Sequence, residues 1–521
     1  MLAIEHFERA VALYPHRVFV IDGDHEITYS QMDRLASSVA WALAANGIAK
    51  GTRVGLVSPN HPNILACQYG ILRAGAVYVP GNYRNTVEDT RNQFEAFGVE
   101  WLFYHSDLDS YIASLIAQLP KVRGAIALDE GGSAERSLRL WTEAHPEPMP
   151  LPLCGADDVI YIGATGGTSS SQIKGVVHTN RSWESSIASF HAVNKLDKPP
   201  VHIVVAPLSH AANVFHWCLL GYGPTNVICP SARPDDILGT IERHKGSYIF
   251  LPPTIIYMLL AHPDIASYDL SSLDHMVFGS SPMSVEKLKE AISVFGPILE
   301  QMFGSSETLN VVTFMSRTET AEAASNPRLA HRLASAGRST PLTRVSIMDD
   351  AGNHLPAGER GEIVVRSASV MKEYFNDPER TAASRVHGWH HTNDIGYLDD
   401  DGYLYLVDRK NDMIISGSFN IYPGEIEQVV LSHPAVRDCA VIGAPHEKWG
   451  EEVVAAIELK PGVAFDEGEF ISFCKKKLGS LRAPKRVEVW EQMPRSPVGK
   501  TLRRKVRERY WQSEPPGRLI H

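Results

Sequence analysis

The sequence predicts an α/β fold: a large N-terminal part of layered α/β subdomains plus a β-rich subdomain, followed by a small α+β C-terminal part. Three observations predict it. Strand-like and helix-like hydrophobic periods alternate from residue 53 to residue 295, as layers around a largely parallel sheet require. From about residue 340 the texture becomes short strands broken by Gly and Asp turns. At 521 residues the chain is also too long for a single core.

The elements follow in order. The first seventeen residues, MLAIEHFERAVALYPHR, read as an amphipathic helix. Residues 53–59 (RVGLVSP) read as a buried strand and 62–75 (PNILACQYGILRAG) as the helix after it. Residues 159–163 (VIYIG), 201–208 (VHIVVAPL), 248–253 (YIFLPP) and 275–284 (HMVFGSSPMS) are further strands, the last ending in a loop of small residues. A helical run to Leu260 follows the third, and 285–295 (VEKLKEAISVF) is an amphipathic helix. Residues 345–356, 361–367 and 399–410 carry the turn chemistry of hairpins. Past Arg409 a helix opened by Pro423 (421–436) leads to a strand (436–445). The predicted domains are therefore 1–408 and 412–521, with the boundary at 409–411.

Composition narrows the function. Hydrophobic residues make up 44% and charged residues 21%, enough to bury a large core. A formal net charge of −10 argues against a nucleic-acid partner. The six cysteines form no CxxC or metal-ligand spacing, which suits reduced thiols in a cytoplasmic protein. No apolar run reaches the length of a membrane span, and the N-terminus lacks a signal-peptide core. A homodimer is compatible with the sequence, which does not decide the oligomeric state.

Four segments carry candidate chemistry. Thr165, Gly166, Gly167, Thr168, Ser169, Ser170 and Lys174 form a run of small hydroxylated residues closed by a cation. That pattern suits a phosphate-cradling loop and equally a polar surface loop; it is not a Walker A sequence, because Gly175 follows the lysine. Residues 303–310 (FGSSETLN) place Glu307 after a turn, where it could hold Mg²⁺ beside phosphate or simply cap a helix. Asp394 lies in a turn-rich stretch with Arg409, and the pair could read sugar hydroxyls or belong to an ordinary hairpin. His390 and His391 lack companions at metal-ligating spacing. Lys500 sits in PRSPVGKTLRRKV, which alone also reads as a solvated basic patch.

Taken together and in order, these segments resemble the adenylate-forming superfamily of acyl-CoA synthetases, aryl-CoA ligases, luciferases and peptide-synthetase adenylation domains, over residues 20–510. The family's YTSGTTGxPKG loop is similar to residues 161–175, and its YGxTE motif to Phe303–Glu307. Its GEIxxRG segment is similar to 361–375 and its GWxxTGD to 388–394. Its hinge and GxNxYPxEIE pattern match 408–427, and PRTxxGKxxR matches 494–503. There are departures. The phosphate loop is one residue longer, with Ile173 for Pro; Asn393 replaces Gly; Ser418 replaces the second Gly of a pair; Phe303 and Ser306 replace Tyr and Thr; and Asn411 stands at the pivot.

The resemblance implies ATP-dependent activation of a carboxylic acid, with ATP, Mg²⁺ and coenzyme A as cofactors. It gives Lys500 the bridge between the acid and the α-phosphate, Glu307 the Mg²⁺, and Ser306 the α-phosphate. Thr165 to Lys174 would bind the β- and γ-phosphates. Gly279, Ser280, Ser281, Met302, Phe303 and Gly304 would enclose the adenine, while Asp394 and Arg409 take the ribose. The acyl pocket would draw on His210, Asn213, Phe215, Phe278 and Leu309, which suits an apolar fatty, alicyclic or aryl acid. Gly417, Trp449 and Lys485 would meet coenzyme A, and Asn411 would lie in a hinge at 409–411 that makes the small C-terminal domain mobile. Two alternatives stand beside this reading: transfer to a carrier-protein phosphopantetheine, and a nucleotide-binding homologue impaired in catalysis.

Overall fold

The computed structural model describes residues 1–131, 137–165, 173–281, 283–416, 419–495 and 501–511. The chain forms two compact units, one of residues 1–282, 289–345 and 365–391, the other of 283–288, 346–364 and 392–521.

The larger unit contains two sheets, and the alternating periods of the sequence become strand–helix repeats within them. In the seven-stranded sheet, Val159–Thr165, Val77–Gly81, Arg53–Val57, Trp101–Tyr104 and Gly124–Ala127 run parallel in that spatial order. Lys174–Thr179 and then Glu373–Tyr374 add antiparallel strands at the edge. In the nine-stranded sheet the parallel strands are Leu299–Phe303, His275–Phe278, Tyr248–Leu251, Val201–Val204, Thr225–Ile228 and Val18–Asp22. Helices cover these strands, so Tyr248–Leu251 and Val77–Gly81 are buried at every position. The helix Pro62–Arg73 is buried almost all round, as its mostly apolar sequence predicts. A Cβ on Gly70 would stand 2.5 Å from Val39, so only glycine lets this helix approach Tyr29–Ala45 so closely.

A polar network in this core has no signature in the sequence. Asn226 and His202 are register partners on adjacent strands. Asn226 Oδ1 accepts from Nδ1 of His202 (3.0 Å) and of His216 (3.2 Å), and its Nδ2 donates to the Phe19 carbonyl (3.1 Å). Tyr69 donates its hydroxyl proton to His216 Nε2. Burial pushes His202 down to about 4 and His216, which also feels His202, down to about 3. Both are neutral in the fold, whereas the unfolded chain takes up protons below about pH 6.5. Stability is therefore expected to fall between about pH 6.5 and 4, by up to about 1.4 kcal/mol per pH unit for each histidine. Denaturation midpoints at about pH 7 and about pH 5 check this: the wild type should lose more than a His202→Gln/His216→Gln variant, and equal losses would refute the assignment.

A four-stranded sheet of Thr343–Met348, Gly361–Ser367, His390–Leu398 and Leu404–Arg409 lies largely in the smaller unit, whose other sheet runs Phe419–Ile421, Ile414–Ser416, Gly450–Leu459, Val436–His446, with Arg486–Trp490 parallel to the long strand Gly450–Leu459. The two long strands are apolar on both faces. Cys439, Val441, Val453, Ala455 and Ile457 pack with the helices Pro423–Leu431 and Glu467–Arg482. Ala440, Ile442, Ala444, Val454 and Ala456 pack with Met493 and with Val506 of the helix Arg503–Trp511. No helix among the described residues is long and apolar enough to cross a membrane.

Candidate active site

In parallel sheets, loops beyond the strand C-termini collect ligands, and the candidate residues of the larger unit fall there. Thr165 ends its strand directly opposite Lys174, which is exposed. Gly166, Gly167, Thr168, Ser169 and Ser170 lie outside the described residues. Gly279 follows His275–Phe278, and a Cβ there would stand 2.7 Å from the Met302 carbonyl, which fixes the close approach of the two strands. Ser280 is exposed in the left-handed region at φ 69°, with Ser281 beside it.

The next strand, Leu299–Phe303, ends with Met302 buried and Phe303 half-buried, then turns. A Cβ on Gly304 would sit 2.5 Å from the Asn310 backbone, so the turn folds back on itself. Ser305 caps it, its N–H donating to Thr308 Oγ1 at 2.9 Å. Leu309 (φ 51°) and Asn310 (φ 62°) both adopt left-handed backbone, strain that a packed surrounding must hold. Ser306 is exposed and Glu307 half-buried. Glu307 Oε1 accepts from the Tyr374 hydroxyl at 2.9 Å, while its Oε2 meets no donor among the described residues. No group of three or more His, Cys, Asp or Glu among the described residues could hold a metal by itself. A single carboxylate with one oxygen open nevertheless fits Mg²⁺, which is commonly held by one or two carboxylates and substrate phosphates.

The helix Ala211–Leu219 separates two of the predicted acyl-pocket residues. Phe215 stacks on Phe250 with ring centroids 4.1 Å apart and meets Phe190 edge-on. Asn213 is two residues away, hence on another face. It shares that face with Trp217, which packs against Tyr69 and Trp183. Asn213 Oδ1 is buried without a hydrogen-bond partner among the described residues. His210 precedes the helix, exposed, its Nδ1 2.9 Å from Ser209 Oγ. Phe278 and Leu309 are buried.

In the smaller unit Asp394 and Arg409 are register partners across a hairpin, with Arg409 Nε 3.4 Å from Asp394 Oδ1. Asp394 is 17% exposed and Arg409 70%, so the carboxylate is fixed and the guanidinium open. Asn411 is exposed in the single turn Lys410–Asp412. Lys500 and Gly417 lie outside the described residues. The two ends of the Lys500 segment are nonetheless clamped. Arg495 and Thr501 face each other as a bridge, and both donate to Asp438 Oδ2, Thr501 at 2.8 Å. Trp449 is 49% exposed beneath the Lys448 ammonium. The Lys485 N–H bonds the Val453 carbonyl, inside the strand that begins one residue after Trp449.

Arg503, which reads as part of a solvated basic run, is half-buried among carboxylates. It grips Glu427 with two nitrogens and reaches Asp408 at 2.6 Å and Asp412 at 3.3 Å. Helical spacing was the available signal: Arg503, Val506 and Arg507 share the inner face, and Arg504 and Glu508 the outer.

Comparison with known proteins follows the same order of segments. The family model for the AMP-binding enzyme matches residues 7–375, and that for the AMP-binding enzyme C-terminal domain matches residues 425–500. A medium/long-chain-fatty-acid–CoA ligase of Mycobacterium tuberculosis is 33% identical, over 96% of this chain and 88% of its own. A feruloyl-CoA synthase of Amycolatopsis is 32% identical, over 96% and 98%. Among solved structures, the amide bond synthetase McbA of Marinactinospora thermotolerans superposes with a TM-score of 0.88 at 28% identity, covering 98% of this chain and all of that one. The chain is a member of the AMP-binding enzyme family, within the adenylate-forming superfamily.

Proposed function

We propose that this enzyme activates a carboxylic acid with ATP to an acyl-adenylate and then transfers the acyl group to coenzyme A. A carboxylate is a poor acyl donor because oxide would have to leave. In the first half-reaction one carboxylate oxygen attacks the α-phosphorus, the bond to the bridging oxygen breaks, and pyrophosphate departs with the electron pair. In the second, the thiol loses its proton, its sulfur attacks the acyl carbon, and AMP leaves.

The observation that carries the reading is Glu307, fixed through one oxygen and meeting no donor at the other among the described residues, beyond the C-terminal end of Leu299–Phe303. Glu307 would hold Mg²⁺, which when bound neutralises phosphate charge. Thr165 and Lys174 frame the segment assigned to the β- and γ-phosphates. Ser306 would contact the α-phosphate. Gly279, Ser280 and Phe303 would enclose adenine, with Asp394 and Arg409 on the ribose hydroxyls. Lys500 would bridge the acid and the α-phosphate and stabilise the charge that develops there. Rotation about residues 409–411, pivoting at Asn411, would exchange Lys500 for the segment around Gly417, with Trp449 and Lys485 receiving the nucleotide end of coenzyme A.

Phe215, Phe250 and Phe278 support an apolar fatty, alicyclic or aryl acid. The helix Ala211–Leu219 has no carboxylate to pair an amino-acid ammonium, whose unpaired burial would be costly. A pyrophosphate-release assay over a panel of acids, with and without coenzyme A, tests the whole reading. Acid-dependent release with thioester formation is expected. Release without a thioester would redirect the acyl group to a carrier protein, and ATP binding without release would remove the activity.

A further inference from the structure

The turn that carries Glu307 is pinned by residues far from it in sequence. Tyr374 donates its hydroxyl proton to Glu307 Oε1 at 2.9 Å. The Met371 N–H donates to the Glu307 carbonyl at 2.6 Å, and His178 Nε2 lies 2.7 Å from the preceding carbonyl, that of Ser306. A carbonyl only accepts, so His178 is the donor there; its Nδ1 faces Ser182 Oγ at 3.2 Å. Burial pushes His178 down to about 4, so the imidazole stays neutral.

The pinning elements are themselves one piece. His178 belongs to Lys174–Thr179, the strand that begins at the cation closing the predicted phosphate loop. The segment 371–375 is hydrogen-bonded along that strand: Lys372 N–H to the Val177 carbonyl, Tyr374 in register with Val176, Phe375 N–H to the Gly175 carbonyl. Glycine at 175 lets the segment lie this close, because a Cβ there would stand 3.0 Å from Phe375 Cβ and 2.5 Å from the Phe97 ring. Tyr374 is 7% exposed and its N–H is held by Thr381 Oγ1 at 3.0 Å, so the phenol cannot swing away.

We propose that Tyr374 is a positioning residue for metal binding: by occupying Glu307 Oε1 it fixes the rotation of the carboxylate and presents Oε2 to the divalent cation on the nucleotide. The proposal rests on the reading of Glu307 as the Mg²⁺ ligand. A carboxylate held through one oxygen has lost its rotational freedom before the metal arrives, and groups that orient a ligand in this way commonly matter by about 10- to 100-fold in metal affinity.

Tyr374→Phe in the full chain removes the hydroxyl and keeps the ring. Mn²⁺ serves as the probe, its binding to the enzyme in the presence of ATP followed by electron paramagnetic resonance. The expected result is a weakening of Mn²⁺ binding of about 10-fold or more. ATP binding without metal, the KM for the acid and the thermal midpoint of the free protein should be unchanged. The Mg²⁺ concentration giving half-maximal pyrophosphate release should rise by a similar factor. Glu307→Ala, measured alongside, separates two failures. If Glu307→Ala abolishes Mn²⁺ binding and Tyr374→Phe leaves it unchanged, or weakens metal-free ATP binding equally, the positioning role is overturned and the Glu307 assignment survives. If Glu307→Ala changes nothing, both fall together.

Discussion

Lys500→Ala is expected to lower acid-dependent pyrophosphate release by about 10²- to 10³-fold while sparing thioester formation from a supplied acyl-adenylate. Attack of a carboxylate on a phosphate gathers negative charge at one point, and a cation placed there only when it is needed stabilises the transition state more than the ground state. The described ends of the segment show how such a lysine can be delivered accurately. Asp438 takes hydrogen bonds from Arg495 on one side and Thr501 on the other, and the Leu502 N–H closes onto the Pro494 carbonyl at 2.7 Å. The described ends on either side of Lys500 are therefore fixed. Separate rates for the two half-reactions check the expectation. Equal loss of both would mean that Lys500 is needed throughout, which contradicts its removal before the thiol step. A loss below about tenfold in adenylation would take the lysine away from the reacting phosphate altogether.

The parts of the candidate site that could be read from the sequence are those whose geometry is local. The apolar run at 159–163 marks a strand, and a strand leading into small residues and a lysine places Thr165 opposite Lys174. Asp394 and Arg409 meet because one hairpin, turning at residues 399–402, returns the chain over fifteen positions. What stayed hidden depends on tertiary pairing. Tyr374 reaches Glu307 across 67 residues and His178 reaches Ser306 across 128, and no local pattern encodes either contact. Asn213 and Phe215, adjacent candidates in the string, part company because a helix turns the residues to different faces. The buried His202–Asn226–His216 network is equally silent, since each residue alone is as compatible with a surface as with a core.

Arg503→Ala is expected to destabilise the smaller unit by about 3–5 kcal/mol, because it strands carboxylates that burial has cut off from water. Asp408 is 2% exposed and Glu427 16%, and both lean on the one guanidinium. Burial holds the Glu427 carboxyl above its usual range even with Arg503 in place. Without the arginine its charged form would be costlier still, and the native state of the variant would bind a proton that the unfolded chain releases. The deficit relative to wild type should therefore shrink as the pH falls toward the carboxylate range. Arg503→Lys should recover only part of the loss, because a single ammonium cannot reproduce the two-pronged grip on Glu427 while also reaching Asp408. Arg504→Ala, next to it but paired only with Glu508 on the outer face, should cost no more than about 0.5 kcal/mol. Denaturant unfolding of the three variants at neutral and mildly acid pH measures these differences. If Arg503→Ala matched Arg504→Ala, the guanidinium would not be what holds the cluster; if the deficit failed to narrow in acid, the stranded charge would not be its cause.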